Sequence, residues 1–262
     1  MNLQMDLSLI KDYKSNSQIA KVLTEVWIAS ESYCPSCLNP LQQAKPNAKV
    51  LDFTCENCND GFELKSKKGN FGKKICDGAY DSMIKRLASE NSPHFFFLNY
   101  SPEFKVKNLI AVPSYFIQSS AIEKRNQLSL TAKRAGWVGC NILSSEIAGA
   151  GKISIVENFK IVDREKVNNK WIQTQFLKNS QSLETRGWTL DILKCIELLR
   201  AQTFSLKQLY QFEIILSKKH PKNNHIKDKI RQQLQTLRDK GIVEFVNPGV
   251  YRLSNEFYKS IY

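Results

Sequence analysis

The chain has no apolar run approaching the roughly 20 residues that a membrane-spanning helix needs. That excludes an integral helical membrane protein. No secretory signal is expected either. The opening "MNLQMDLSLIKDYKSNSQ" carries acidic and polar residues where a signal needs a basic start and an apolar core, so the expected compartment is the cytoplasm. Internal repeats and low-complexity segments are absent, which excludes solenoids and charged tails. No heptad run offers a coiled-coil seam, so a monomer is expected. Negative charge is scarce: 25 Asp and Glu stand against 38 Lys and Arg, a net charge of +13. Such a balance points to a polyanionic partner, nucleic acid foremost.

What is present is enough apolar material for packed cores, 42% of 262 residues, and seven cysteines. Four of the cysteines form two C-x-x-C pairs, Cys34 and Cys37 in "YCPSC" and Cys55 and Cys58 in "TCENC", with 17 residues between Cys37 and Cys55. Cys76, Cys140 and Cys195 are scattered. In a reducing compartment this spacing reads as metal rather than disulfide. Four thiolates from two tight turns satisfy tetrahedral zinc and leave no open position, so a zinc ion here is structural.

The hydrophobic pattern predicts a mixed α/β (α+β) first part. "LSLIKDYKSNSQIAKVLTEVWIAS" reads as one or two helices. "KVLDFTC", "GFELKSK", "HFFFLNY", "NLIAV" and "KISIVEN" read as strands. "GAYDSMIKRLASEN" reads as a helix with Ala79, Met83 and Leu87 on one face. "KNSQSLETRG" is a linker or a capped helix start. Three helical patterns follow, in "WTLDILKCIELLR", "SLKQLYQFEIILSKK" and "NNHIKDKIRQQLQTLRDKG". Ser205 is an N-cap candidate, Gly241 a stop, and Ile226, Ile230, Leu234 and Leu237 a buried stripe. "IVEFVNPGVYRL" closes the pattern as a hairpin. Three helices and a hairpin predict a winged helix-turn-helix. The expected domains are 1–180 and 181–262.

Within "DFTCENCNDGFELKSKK", Asp52, Glu63 and Lys65 remain once the cysteines are assigned to zinc. Side chains alternate along a strand, so Glu63 and Lys65 share a face opposite Phe62 and Leu64. An antiparallel hairpin through the cysteine turn brings Asp52 to the Glu63–Lys65 region. Two carboxylates suit a hard cation such as Mg²⁺, and an adjacent lysine suits phosphodiester hydrolysis. Lys67 and Lys68 follow as phosphate contacts. Taken alone, D…E-x-K is also an ordinary exposed strand pattern.

Further along, "SYCPSC", "CENC", "FELKSKKGNF", "DGAY", "FFFL", "RAGWVGCNI", "TRGWT" and "NNHIKDKIRQQLQTLRDK" occur in an order that resembles the DpnI-like family of restriction endonucleases over nearly the whole chain. The resemblance implies a PD-(D/E)xK nuclease core with an inserted zinc hairpin, followed by a winged helix. It implies a Mg²⁺-dependent type II enzyme that cuts double-stranded DNA at GATC when the adenines are N6-methylated, with both domains reading the methylated site. By motif, Asp52, Glu63 and Lys65 are catalytic, Asp52 and Glu63 hold magnesium, and Cys34, Cys37, Cys55 and Cys58 hold zinc. The family's Pro-Asp is Leu51-Asp52 here, a change without chemical consequence. The tail "SNEFYKSIY" extends past the match.

An N6-methyl group projects into the major groove, where a reader needs apolar surface and donors. Trp137, between glycines and after Lys133 and Arg134, and Trp188 in "TRGWT" are the aromatic candidates. In the expected recognition helix, Asn223, Asn224, His225, Lys227 and Arg231 lie off the buried stripe and are the DNA-contact candidates. A zinc-containing winged-helix regulator of methylated DNA, without catalysis, is the alternative. The Asp52, Glu63 and Lys65 set argues against it.

Overall fold

A computed structural model describes residues 1–45, 51–89, 92–178 and 182–261. The start of "KVLDFTC" (Lys49 and Val50), part of the 178–187 stretch and the terminal Tyr262 lie outside the described residues. The chain divides into two compact units, Met1–Ile147 with Gly151–Ile172, and Ala148–Ala150 with Gln173–Tyr262.

The first unit opens with a short 3-10 turn, Leu7–Ile10, and helix α1, Asn16–Glu31. Leu23, Trp27 and Ile28 of α1 are buried, and the Trp27 indole N–H donates to the Asn2 carbonyl at 2.7 Å. Strands β1 (Gln42–Gln43), β2 (Phe53–Thr54) and β3 (Gly61–Lys68) form an antiparallel meander. β4 (Lys74–Ala79) and helix α2 (Tyr80–Leu87) come next, followed by β5 (His94–Tyr100) and β6 (Val106–Val112). β7 (Ile122–Lys124), β8 (Gly139–Leu143), β9 (Ile153–Glu157), β10 (Lys160–Ile161) and α3 (Arg164–Thr174) complete the order.

These strands form two sheets. The larger has seven strands in the order β1-β2-β3-β5-β6-β9-β10, and the smaller has three in the order β4-β8-β7. All pairings in the larger sheet are antiparallel except β3 with β5. β5 is buried at every position, as a central strand covered on both faces should be. Phe62 of β3 stacks on Phe96 of β5 at 4.6 Å between ring centroids. The core gathers α1, the β3, β5, β6 and β9 residues and Trp171 of α3.

The reading of "GAYDSMIKRLASEN" is corrected at its start. Ala79 ends β4, and the helix begins at Tyr80 with Met83 and Leu87 buried. β4 runs to Ala79 because its backbone is held in register with β8, where Ala79 pairs Gly139.

The second unit contains α4 (Leu183–Leu199), β11 (Thr203–Ser205), α5 (Leu206–Tyr210), α6 (Glu213–Lys219), α7 (Ile226–Asp239), β12 (Val243–Asn247), β13 (Val250–Leu253) and α8 (Asn255–Ile261). The strands form one sheet in the order β11-β13-β12. Ser182 caps α4, its hydroxyl accepting the Thr185 N–H at 3.1 Å. Ser205 is the N-cap of α5 in a capping box with Gln208. The single helix expected over "SLKQLYQFEIILSKK" is instead two, broken at Gln211–Phe212. Apolar spacing continues through the break and so conceals it. Ile226, Ile230, Leu234 and Leu237 form the buried stripe of α7. Gly241 and Gly249 sit at φ 69° and 73°, where glycine is favoured. The first ends the helix and the second turns the β12–β13 wing. Among the described residues, no helix is long and apolar enough to cross a membrane.

Candidate functional site

Two knuckles of matching geometry place four sulfurs together. The Leu38 N–H donates to the Cys34 carbonyl at 2.8 Å, and the Asn59 N–H to the Cys55 carbonyl at 2.8 Å. Leu38 and Asn59, each directly after the second cysteine of its pair, adopt left-handed φ of 63° and 59°. This turn points both thiols of each pair inward. All four Sγ atoms lie within 4.8 Å of one another, and three of the pairs measure 3.5, 3.4 and 3.7 Å. Tetrahedral zinc with sulfur at 2.3 Å needs sulfur–sulfur edges of about 3.8 Å, so the four residues fit that ion. Burial disfavours the Cys37 thiolate, yet the Asn39 N–H and side chain overcome it and bring the thiol down to about 6. From α3, the Asn168 amide donates to the carbonyls of Pro35 and Ser36 at 2.9 and 2.8 Å. Arg164 donates to the Leu38 carbonyl at 2.7 Å and lies over the Tyr33 ring. The first knuckle is thus clamped from outside.

The second knuckle turns β2 into β3, and β3 alternates as its sequence predicts. Phe62 faces the core, while Glu63 and Lys65 face the other side. Lys65 Nζ lies 2.5 Å from Glu63 Oε1. Asp52 reaches the same strand differently. Its carboxylate Oδ2 accepts the Leu64 N–H at 2.7 Å, and its own N–H donates to the Phe62 carbonyl at 3.0 Å. Asp52 therefore meets the backbone between Glu63 and Lys65 rather than their side chains. Glu25 of α1 lies close enough to Asp52 for repulsion between the carboxylates to help raise its pKa, after burial as the larger cause.

Two further residues complete the Glu63–Lys65 group. Asp77 of β4 accepts a hydrogen bond from Lys65 Nζ. Arg86 of α2 approaches Glu63 Oε2 at 2.8 Å and Asp77 Oδ2 at 3.6 Å. Two carboxylates and two cations make a charge-balanced, mostly buried cluster. Burial raises the Glu63 pKa in spite of Lys65 and Arg86. Burial opposes the Lys65 ammonium, but Glu63 and Asp77 outweigh it and raise its pKa. Asp77 sits in the "DGAY" stretch, yet nothing in its spacing from Lys65 announces the contact.

The remaining basic and aromatic candidates fall on two surfaces. Lys67 and Lys68 end β3 exposed, and Lys68 lies over the Phe104 ring. Trp137 is half-buried at the end of an exposed 125–136 loop, and Arg134 lies over its ring at 4.9 Å. The loop is pinned: the Leu128 N–H donates to the Trp137 carbonyl at 2.9 Å, and Gly136 takes φ 77°. Gly139 allows the indole to pack close, since a Cβ there would lie 2.7 Å from it.

On α7 and just before it, Asn224, His225, Lys227 and Arg231 are exposed and Asn223 is half-buried. Asn223 Oδ1 accepts the His225 N–H at 2.8 Å. Lys227 pairs with Glu213 at 3.3 Å, and Arg231 bonds the Tyr210 hydroxyl and Asp228. Trp188 is corrected. It is fully buried inside the second unit, stacked on His220, and offers no surface to DNA.

An α/β unit whose four cysteines are placed to hold a metal, with a winged helix-turn-helix unit in the same chain, defines a DNA-binding protein. The DpnI model, described as the Dam-replacing family, matches residues 1–180, and the Dam-replacing HTH domain matches residues 184–253. The chain belongs to the DpnI, Dam-replacing, family. Membership places it among DNA-targeting proteins of the restriction-endonuclease kind.

Proposed function

We propose that this chain is a methyl-directed type II restriction endonuclease. It hydrolyses phosphodiester bonds of double-stranded DNA at GATC carrying N6-methyladenine, with Mg²⁺ as cofactor. The observation that carries the reading is the Glu63–Lys65 pair on β3, with the Asp52 carboxylate on the backbone between them, in a chain of this family. In this reading residues 1–180 form a PD-(D/E)xK nuclease domain and residues 181–262 a second reader.

Asp52 and Glu63 supply hard oxygen donors. Glu63 Oε2 faces the Arg86 guanidinium at 2.8 Å, so a cation bound by Glu63 takes the place that this guanidinium holds. When bound there, Mg²⁺ polarises the phosphoryl oxygen and lowers the pKa of water. Lys65 holds the attacking water and stabilises charge that develops on the phosphoryl group. Cys34, Cys37, Cys55 and Cys58 would hold zinc, which would fix the β2–β3 turn and, with all four positions filled by sulfur, take no part in the reaction.

Trp137 supplies apolar surface for the methyl groups, and Arg134, Lys67 and Lys68 meet phosphates. On the winged helix, Asn223, Asn224, His225, Lys227 and Arg231 face the groove. Lys227 and Arg231 exchange Glu213 and Asp228 for DNA. One active site per chain and a palindromic target require two chains or two successive cuts; with no heptad seam in the sequence, the reading is a monomer that nicks the strands in turn.

The test is one plasmid in two preparations, adenine-methylated and unmethylated, incubated with protein and Mg²⁺. Fragmentation of the methylated form alone, at GATC spacing, supports the reading. Cutting of both removes methyl specificity. Cutting of neither, with selective binding of the methylated form, leaves a non-catalytic reader.

A further inference from the structure

We propose that Asp77 is a positioning residue for Lys65, holding its ammonium at the point where the nuclease reaction uses it. The proposal rests on the nuclease reading above.

After β3 the chain turns and leaves the larger sheet, pairing β4 with β8 instead. Asp77, opposite Cys140 in that register, returns its side chain to β3. Its side chain is only 2% exposed, more buried than those of Glu63, Lys65 and Arg86. Oδ1 accepts from Lys65 Nζ and from the Gly78 N–H, the latter at 2.6 Å. Oδ2 faces Arg86 at 3.6 Å. The carboxylate is therefore fixed by its own backbone on one side and by a guanidinium on the other.

Lys65 has only two anchors among the described residues, Glu63 and Asp77. The nuclease reading shares Glu63 with a cation, which weakens the first. Asp77 is the anchor that the cation does not share. A lysine stem has four rotatable bonds and no rigid fork, so an unanchored Nζ samples many positions. A displacement of about 1 Å in a reacting group can cost about 10²-fold in rate. Arg86 fixes Asp77 while itself sharing charge with Glu63, so it supports the anchor without replacing it.

The experiment uses the zinc-loaded full chain with Mg²⁺ and a methylated GATC duplex. Asp77→Asn keeps the shape and an acceptor but removes the charge. The expected result is a 10- to 100-fold fall in kcat, about the size of a 1 Å misplacement, with unchanged half-saturating DNA concentration; the melting temperature falls, as it does when a buried ion pair loses one partner, and the assay is run below it. Lys65 should also be acylated faster, as read by peptide mass spectrometry. Asp77→Glu preserves the charge balance and is the second variant if Asp77→Asn unfolds. It should fold and cut at an intermediate rate.

Wild-type kcat in both variants overturns the proposal. So does a fall in rate matched by loss of DNA binding, with Lys65 labelling unchanged. Glu63→Gln separates the two readings. If it cuts at the wild-type rate, the nuclease assignment fails. If it is inactive while Asp77→Asn is fully active, only the positioning role fails.

Discussion

Trp188 lies flat against His220, with ring centroids 3.7 Å apart and planes at 15°, and His220 Nε2 stands 2.8 Å from Asp191 Oδ2. Lys219 Nζ meets the other oxygen of Asp191 at 2.7 Å. A tryptophan expected at a DNA surface thus roofs a buried ionic group inside the winged helix. Burial opposes the Asp191 charge, yet the bonds from His220 and Lys219 prevail and lower its pKa. A depressed carboxylate pKa contributes stability in full above the unfolded value of about 3.9, and loses it as pH falls through the folded value. Asp191→Asn should therefore destabilise the second unit by about 3 kcal/mol at pH 7. The gap from wild type should close below about pH 4. Urea unfolding followed by tryptophan fluorescence at both pH values checks this.

Cys55→Ser removes one of four sulfurs in the knuckle cluster. Zinc binding free energy is folding free energy in such sites. The variant should lose zinc, measured by mass spectrometry of the native protein, and should melt at a lower temperature. A zinc-free variant that is stable and active would contradict the structural role.

Asp52→Ala should reduce cleavage by about 10³-fold, the scale of losing one preorganised electrostatic contact. Binding of methylated duplex in Ca²⁺ or in chelator should stay within a few-fold of wild type. Cutting at the wild-type rate would take Asp52 out of the mechanism.

Trp137→Ala should lower the preference for methylated over unmethylated duplex by about tenfold, the upper range for one aromatic contact. Arg134→Ala should weaken both duplexes alike and reduce the salt slope of binding by about 1. Titrations at three salt concentrations distinguish the two effects. Methyl preference unchanged in Trp137→Ala would move the reading surface elsewhere.

Features made of neighbouring residues were the legible ones. The C-x-x-C turns, the alternation of Glu63 and Lys65, the Ser205 cap and the α7 stripe all arise within a few residues of chain. Asp77 and Arg86 were not legible as partners of Lys65. Their contact depends on β4 leaving one sheet to pair with β8, a register decided some 60 residues away. Trp188 misled for a related reason. Its flanking arginine, glycine and threonine look like surface, but α4 is buried at successive positions from Trp188 to Leu193. The break between α5 and α6 escaped because the apolar periodicity does not change across Gln211 and Phe212.

The four ionised side chains of the β3 cluster come from one uninterrupted run of chain, Glu63 to Arg86. Closing so short a loop costs little entropy, whereas the β4–β8 register closes a far longer one. The cluster therefore waits on that register, and its own short loop adds little to the cost. Contacts with large sequence separation form late. The groups assigned to hydrolysis would then come together late in folding, and a chain that has not paired β4 with β8 would have no assembled site to misuse.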